Sequence, residues 1–82
     1  MKIVWDEIKR RQNLANHNMD FAELDLDFFA RASVRQTHSD RLVAFGEFRG
    51  QTIVAVVFKP MGSEAVSVIS MRQASRKERS LL

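Results

Sequence analysis

The stretch LVAFGEF at 42–48, followed by RG at 49–50 and QTIVAVVF at 51–58, decides the fold. Its first run reads as a strand, with Phe45 and Phe48 on opposite faces, so one of the two rings is expected to be exposed. Arg49-Gly50 is a two-residue hairpin candidate, because glycine accepts the positive φ that tight hairpin turns need. The second run is β-branched and nearly all apolar. It lacks the alternation of a half-solvated strand, which predicts a central strand covered on both faces.

Downstream, Pro60, Met61, Gly62 and Ser63 make a turn. A last strand follows over 65–71. Its alternation sends Arg72 out on the same face as Val66 and Val68. Ser75 and Glu78 form an S-x-x-E capping box, the start of a short final helix that Leu81 and Leu82 would dock. Upstream, 33–37 suits an exposed strand and 38–40 a turn. Phe21, Leu24 and Phe28 share one helical face, and Asp20 with Glu23 gives a D-x-x-E start, so one helix is predicted from 21 to about 30. An earlier helix runs from an Asp6 cap to about Asn16, with Ile8 and Ala15 as its apolar positions. Asn16, His17 and Asn18 stop it, since asparagine tolerates the left-handed turn. Residues 3–5 read as a short first strand.

The order is therefore β-α-α-β-β-β-β-α. This is an α+β fold: an antiparallel sheet of three to four strands plus a short N-terminal strand, two N-terminal helices packed on one side, and a short C-terminal helix. Eighty-two residues make one domain, 1–82.

The chain has no cysteine, so disulfides and thiolate metal sites are excluded, and its two histidines alone make no closed zinc site. No metal or cofactor is expected. The longest apolar run, 53–58, is too short to span a bilayer, and the N-terminus turns polar at once. These features predict a cytoplasmic protein without a membrane partner. The net charge is +3. Arg72, Arg76, Lys77 and Arg79 against Glu78 account for all of it. Elsewhere Lys9, Arg10 and Arg11 form a basic cluster, and Asp20, Glu23, Asp25 and Asp27 an acidic block. A field so divided steers charged partners.

Arg76 and Lys77 fall in the first turn of the last helix, where cations oppose the macrodipole. A bound anion would reverse that penalty and draw Arg72, Arg76 and Arg79 toward one phosphate. The plainer alternative is a solvated basic segment with Glu78 as a cap only. His17 is either a general acid or base or a helix-terminal histidine bonding free carbonyls, and the second reading is favoured. Trp5, Phe21, Phe28 and Phe58 fit core spacing. Gly46, Gly50 and Gly62 are dispersed and form no phosphate-binding loop.

Three blocks resemble the BrnT toxins of bacterial type II toxin–antitoxin systems. They are Ile3-Val-Trp-Asp6 with Lys9, Asn13 and His17, then Arg41-Leu-Val-Ala-Phe-Gly46, then Val68-Ile-Ser-Met-Arg-Gln-Ala-Ser-Arg-Lys-Glu-Arg79. The chain differs in having Asn16-His17-Asn18 where the family usually has Lys-His-Gly. The resemblance implies a RelE/ParE-like fold and a metal-independent ribonuclease that blocks translation. It implies a ribbon-helix-helix antitoxin that binds promoter DNA. It makes Arg72, Arg76 and Arg79 the catalytic or phosphate-binding arginines, with Glu78 assisting or capping. Lys77, Arg41, Lys59 and His17 become the expected RNA contacts. Glu78, His17 and Lys59 are the available general bases. Two alternatives are a non-catalytic toxin that grips a protein target and a small nucleic-acid-binding domain.

Overall fold

The central hairpin pairs as its residues require. In the computed structural model, β3 (Arg41–Phe48) and β4 (Thr52–Met61) are antiparallel, with Phe45 opposite Ala55 and Phe48 opposite Thr52. Arg49 and Gly50 both take positive φ, as a tight turn needs, but with Phe48 opposite Thr52 three positions separate the paired strands rather than the expected two. The structure describes residues 1–38, 40–50 and 52–81. Ser39, Gln51 and Leu82 lie outside the described residues, and of His38 only the backbone is described. The expected start of the strand at Gln51 and the docking of Leu82 therefore fall outside them.

β2 (Ser33–His38) pairs antiparallel with β3, and β5 (Ala65–Gln73) antiparallel with β4. β1 (Lys2–Trp5) lies parallel to β5 and completes a five-stranded mixed sheet in the order β1-β5-β4-β3-β2. Pro60 does not end β4 as expected. It pairs with Val66 near the end of the strand, and the turn falls at Gly62, with φ of 64°.

The two apolar faces of β4 are both covered, as its composition predicts. Val54, Val56 and Phe58 join Phe21, Leu24 and Phe28 in the main core under the helices. Ala55 is fully buried on the other face with Phe45 and Ala74. Phe48 belongs to the main core, so neither phenylalanine of β3 is exposed, contrary to expectation.

The helical layer differs from its sequence pattern. The single helix expected over 21–30 is split into a 3₁₀ turn, Phe21–Glu23, and α2 (Leu26–Arg31). Asp20 accepts from the N–H of Ala22, and Asp25 accepts from Phe28 at 2.8 Å, so two acidic caps start two short segments. Phe21, Leu24 and Phe28 still reach one core, as their spacing predicts. Before them, α1 (Glu7–His17) ends on Asn18 in the left-handed conformation, with φ of 56°. Asp6 makes no side-chain cap, and Ile8 is exposed. The buried residue of α1 is Asn13.

Asn13 has a task the periodicity hid. β1 stops at Trp5, opposite Val68, so the outer edge of β5 loses its partner strand there. The Asn13 Oδ1 accepts the free N–H of Met71 at 3.0 Å, and its amide donates to the carbonyl of Met19 at 3.0 Å. One side chain thereby pays for main-chain groups whose burial without partners costs about 1–3 kcal/mol each.

The same segment holds a β-bulge. The β4–β5 register passes from Phe58 opposite Val68 to Val57 opposite Ser70, leaving Ile69 as the extra residue. An inserted residue inverts the alternation. Met71 therefore joins Val66 and Val68 in the main core, and Arg72 stands on the opposite, open face beside Ala55. The uninterrupted alternation had placed Arg72 with Val66 and Val68.

Candidate functional site

β5 hands the chain to α3 (Arg76–Ser80) through Ala74 and Ser75. The Ala74 N–H donates to the Ile53 carbonyl at 2.9 Å, and its methyl packs with Phe45 and Ala55. This seats the start of α3 on the open face. The expected capping box is present. The Ser75 hydroxyl accepts from the Glu78 N–H at 3.1 Å, and Glu78 Oε1 accepts from the Ser75 N–H at 2.9 Å.

Glu78 also meets Arg72. Arg72 Nη1 donates to Oε1 at 2.7 Å and Nη2 to Oε2 at 2.9 Å. These bonds, and next the N–H of Ser75, hold the Glu78 carboxyl down from its ordinary 4.5 to about 2. The guanidinium of Arg72 is raised by the same hydrogen bonds. A carboxylate so stabilised stays ionised at neutral pH and is a weak proton acceptor. The place beside the first turn that the sequence leaves for an anion is thus filled by the chain's own Glu78.

The remaining candidates are less closely gathered. Arg76, Lys77 and Arg79 are exposed. Among the described residues the side chain of none of the three makes a hydrogen bond or ion pair. The structure therefore joins Arg72 to Glu78 and leaves the α3 cations facing solvent, rather than drawing three arginines together. Arg41 is exposed at the start of β3, and Lys59 in β4 pairs with Asp40 at 3.4 Å. His17 lines a shallow cleft of about 280 Å³ with Lys9, Asn16 and Ser70, at the edge of β5. Among the described residues its side chain bonds no helix carbonyl, contrary to the favoured reading.

Arg35 was not singled out by its sequence context. On the edge strand β2 it donates through Nη2 to the Leu81 carbonyl at 3.3 Å, so the far end of α3 is tied as well. An arginine in an exposed strand carries no local signal that a helix end will lie above it.

The charge clusters at the N-terminal end are largely spent on each other. Arg10 binds Asp20 through Nε at 2.8 Å and Nη2 at 3.1 Å, and also Glu7 at 2.6 Å. That pairing lowers the Asp20 carboxyl. Arg49 pairs with Glu23, and Arg31 with Asp27. The cations of α3 keep their charge available.

Fold and site together define a small basic α+β domain with its open cations gathered at one strand–helix junction. A family model described as "Ribonuclease toxin, BrnT, of type II toxin-antitoxin system" matches residues 5–78. The 1.1 Å crystal structure of the Brucella abortus ribonuclease toxin BrnT is similar at a TM-score of 0.88 and 60% identity, covering 93% of this chain and 99% of that one. No curated protein matches. The chain belongs to the BrnT family of ribonuclease toxins of type II toxin–antitoxin systems, and a cognate antitoxin follows from that membership.

Proposed function

We propose that the chain, acting as one RelE/ParE-like toxin domain over 1–82, cleaves single-stranded RNA in the cytoplasm without a metal ion and so stops translation. The observation that carries this reading is the braced Arg72 at the root of a helix whose other cations are unpaired. The 2′-hydroxyl attacks the adjacent phosphorus, the 5′-oxygen leaves, and negative charge gathers on the phosphoryl oxygens. Arg72, Arg76 and Arg79 stabilise that charge, and a preorganised cation does so without reorganising in the transition state. Glu78 acts as a positioning residue that fixes the Arg72 plane. Lys77, Arg41, Lys59 and His17 extend the RNA contact. A ribbon-helix-helix antitoxin holds the toxin inactive and alone brings it to promoter DNA.

The test is purified chain with single-stranded RNA in a chelator. Expected products carry 2′,3′-cyclic phosphate and 5′-hydroxyl ends, and DNA of the same sequence is spared. RNA that stays intact with protein in excess overturns the reading.

A further inference from the structure

A cleft of about 860 Å³ opens beside the β3–β4 turn. It follows the part of β3 beyond Phe45, where β2 has not yet begun, since Ser33 opposite Phe45 is the last pair. Beyond Phe45 the outer edge of β3 therefore faces the cleft with no partner strand among the described residues, while its inner edge stays paired with β4. The lining of the cleft wraps that edge, with Phe45 and Ile53 from the open face of the sheet and Phe28 of α2 from the helix-covered face. Four carboxylates line it, but three are already engaged. Glu23 pairs with Arg49, Asp27 pairs with Arg31, and Asp25 caps α2. Glu47 is the exception, with no hydrogen bond or ion pair among the described residues. It stands opposite Ile53.

The cleft adjoins the cationic helix through one hydrogen bond. Ile53, in its lining, accepts the N–H of Ala74, and Arg76 follows two residues later. Arg72 and Glu47 lie two strands and two residues apart on the same face, about 12 Å between Cα atoms. That is within the combined span of a nucleotide and two long side chains. With Arg31 and Arg49 spent on Asp27 and Glu23, the charges left over in the lining are the carboxylates of Asp25 and Glu47, which disfavour phosphate, so what enters from a strand bound along α3 is a base. A carboxylate only accepts hydrogen bonds. It selects a base edge that offers donors side by side, and RNA-binding proteins commonly read unstacked bases on that edge.

The geometry points to this cleft as a nucleobase pocket in which Glu47 reads a donor-rich Watson–Crick edge, guanine above all, and sets where the toxin cuts. Guanine offers N1–H and N2–H to the two oxygens of Glu47. Uracil presents carbonyl oxygens on either side of N3–H, and these repel the carboxylate. This inference rests on the ribonuclease reading for its biological meaning, and binding tests it separately.

The experiment has two arms. In the first, cleavage of RNA oligonucleotides that differ only in one guanine or uracil is compared for the wild type, Glu47→Ala and Glu47→Gln. A preference for guanine of about tenfold to a hundredfold is expected for the wild type, on the scale of one good bidentate base contact. Both variants should lose it while still cleaving mixed RNA. In the second, binding of the corresponding 2′-O-methyl oligonucleotides, which cannot be cleaved, is measured by fluorescence anisotropy. The same preference and the same loss are expected. If the wild type cleaves but Glu47→Ala leaves the base preference of both arms unchanged, the inference is overturned and the ribonuclease reading stands. If nothing is cleaved, that reading fails, and the binding arm alone still decides the pocket. A variant that keeps its base preference but escapes neutralisation by the antitoxin would assign the cleft to the protein partner and overturn the inference.

Discussion

Arg72 and Glu78 face each other through two parallel hydrogen bonds, Nη1 to Oε1 and Nη2 to Oε2, across the junction of β5 and α3. A fork of this kind fixes the plane of the guanidinium as well as its position. Its value to a phosphate is orientation before binding. Arg72→Ala should lower RNA cleavage by about 10²–10³-fold, the scale of one preorganised charge-stabilising group. The fold should survive, because Glu78 still accepts from Ser75 and Met71 still fills the core; circular dichroism checks this. Glu78→Gln keeps an acceptor for the cap but loosens the fork. Its cleavage should fall by less than about 10²-fold, a positioning loss. A deficit as deep as that of Arg72→Ala would place Glu78 in the chemistry itself.

Acid should undo the same pair. The Glu78 carboxyl is held down from 4.5 to about 2, first by Arg72 and then by the Ser75 N–H. A group whose folded value is depressed stabilises the fold above its ordinary value and loses that contribution as pH falls through the folded one. The difference in thermal midpoint between wild type and Glu78→Gln should be constant above about pH 5 and shrink from there to pH 2. A difference that is flat across that acid window means the carboxylate is not held by Arg72 in solution.

What the sequence disclosed was whatever local pattern decides. The apolar run of β4, the turn at Arg49-Gly50, the spacing of Phe21, Leu24 and Phe28, and the Ser75–Glu78 box are each legible within a few residues. The face of Arg72 was not, because Ile69 bulges and inverts the alternation after Val68. A bulge depends on its neighbour strand, and here also on Asn13, a polar residue 58 positions before the Met71 it serves. The α1 helix misled for a related reason. Its exposed Ile8 looks like a core residue, while its buried Asn13 looks like a surface one.

Asn13 therefore carries its own prediction. Asn13→Leu fills the space but leaves the Met71 N–H and the Met19 carbonyl unpaired. It should destabilise the fold by about 1–3 kcal/mol or more, the cost of buried polar groups without partners. Asn13→Asp keeps the acceptor for Met71 and loses the donor to Met19, so it should cost less at neutral pH. Urea unfolding ranks the two. Equal stability of Asn13→Leu and the wild type would show that water satisfies the β5 edge instead.

Gly46 tests the packing of α2 on the sheet. A Cβ there would lie 3.0 Å from the Phe28 ring and 3.5 Å from the Ala32 methyl. The ring is wedged in the main core, with Phe29 edge-on at 5.3 Å. It can yield only by shifting α2. Gly46→Ala should lower stability by about 1–3 kcal/mol, as overpacked cores do. Urea unfolding measures it, and an unchanged midpoint would mean that α2 moves freely on β3.

The unpaired cations of α3 make the last prediction, and it separates their role from that of Arg72. Arg76, Lys77 and Arg79 release bound counterions when they meet phosphates, so affinity should fall as salt rises. Each of Arg76→Ala, Lys77→Ala and Arg79→Ala should reduce the slope of log affinity against log salt by about 0.7 for single-stranded RNA. The loss should be much the same for every sequence, because a phosphate contact carries no base information. Arg72 differs because Glu78 already neutralises it, so its exchange of partners releases less. Arg72→Ala should change the slope less than any α3 substitution while removing more cleavage. Anisotropy titrations with a 2′-O-methyl RNA over a range of salt decide the point. If Arg72→Ala flattens the slope most, the braced pair opens fully on binding and Arg72 serves as an ordinary phosphate contact.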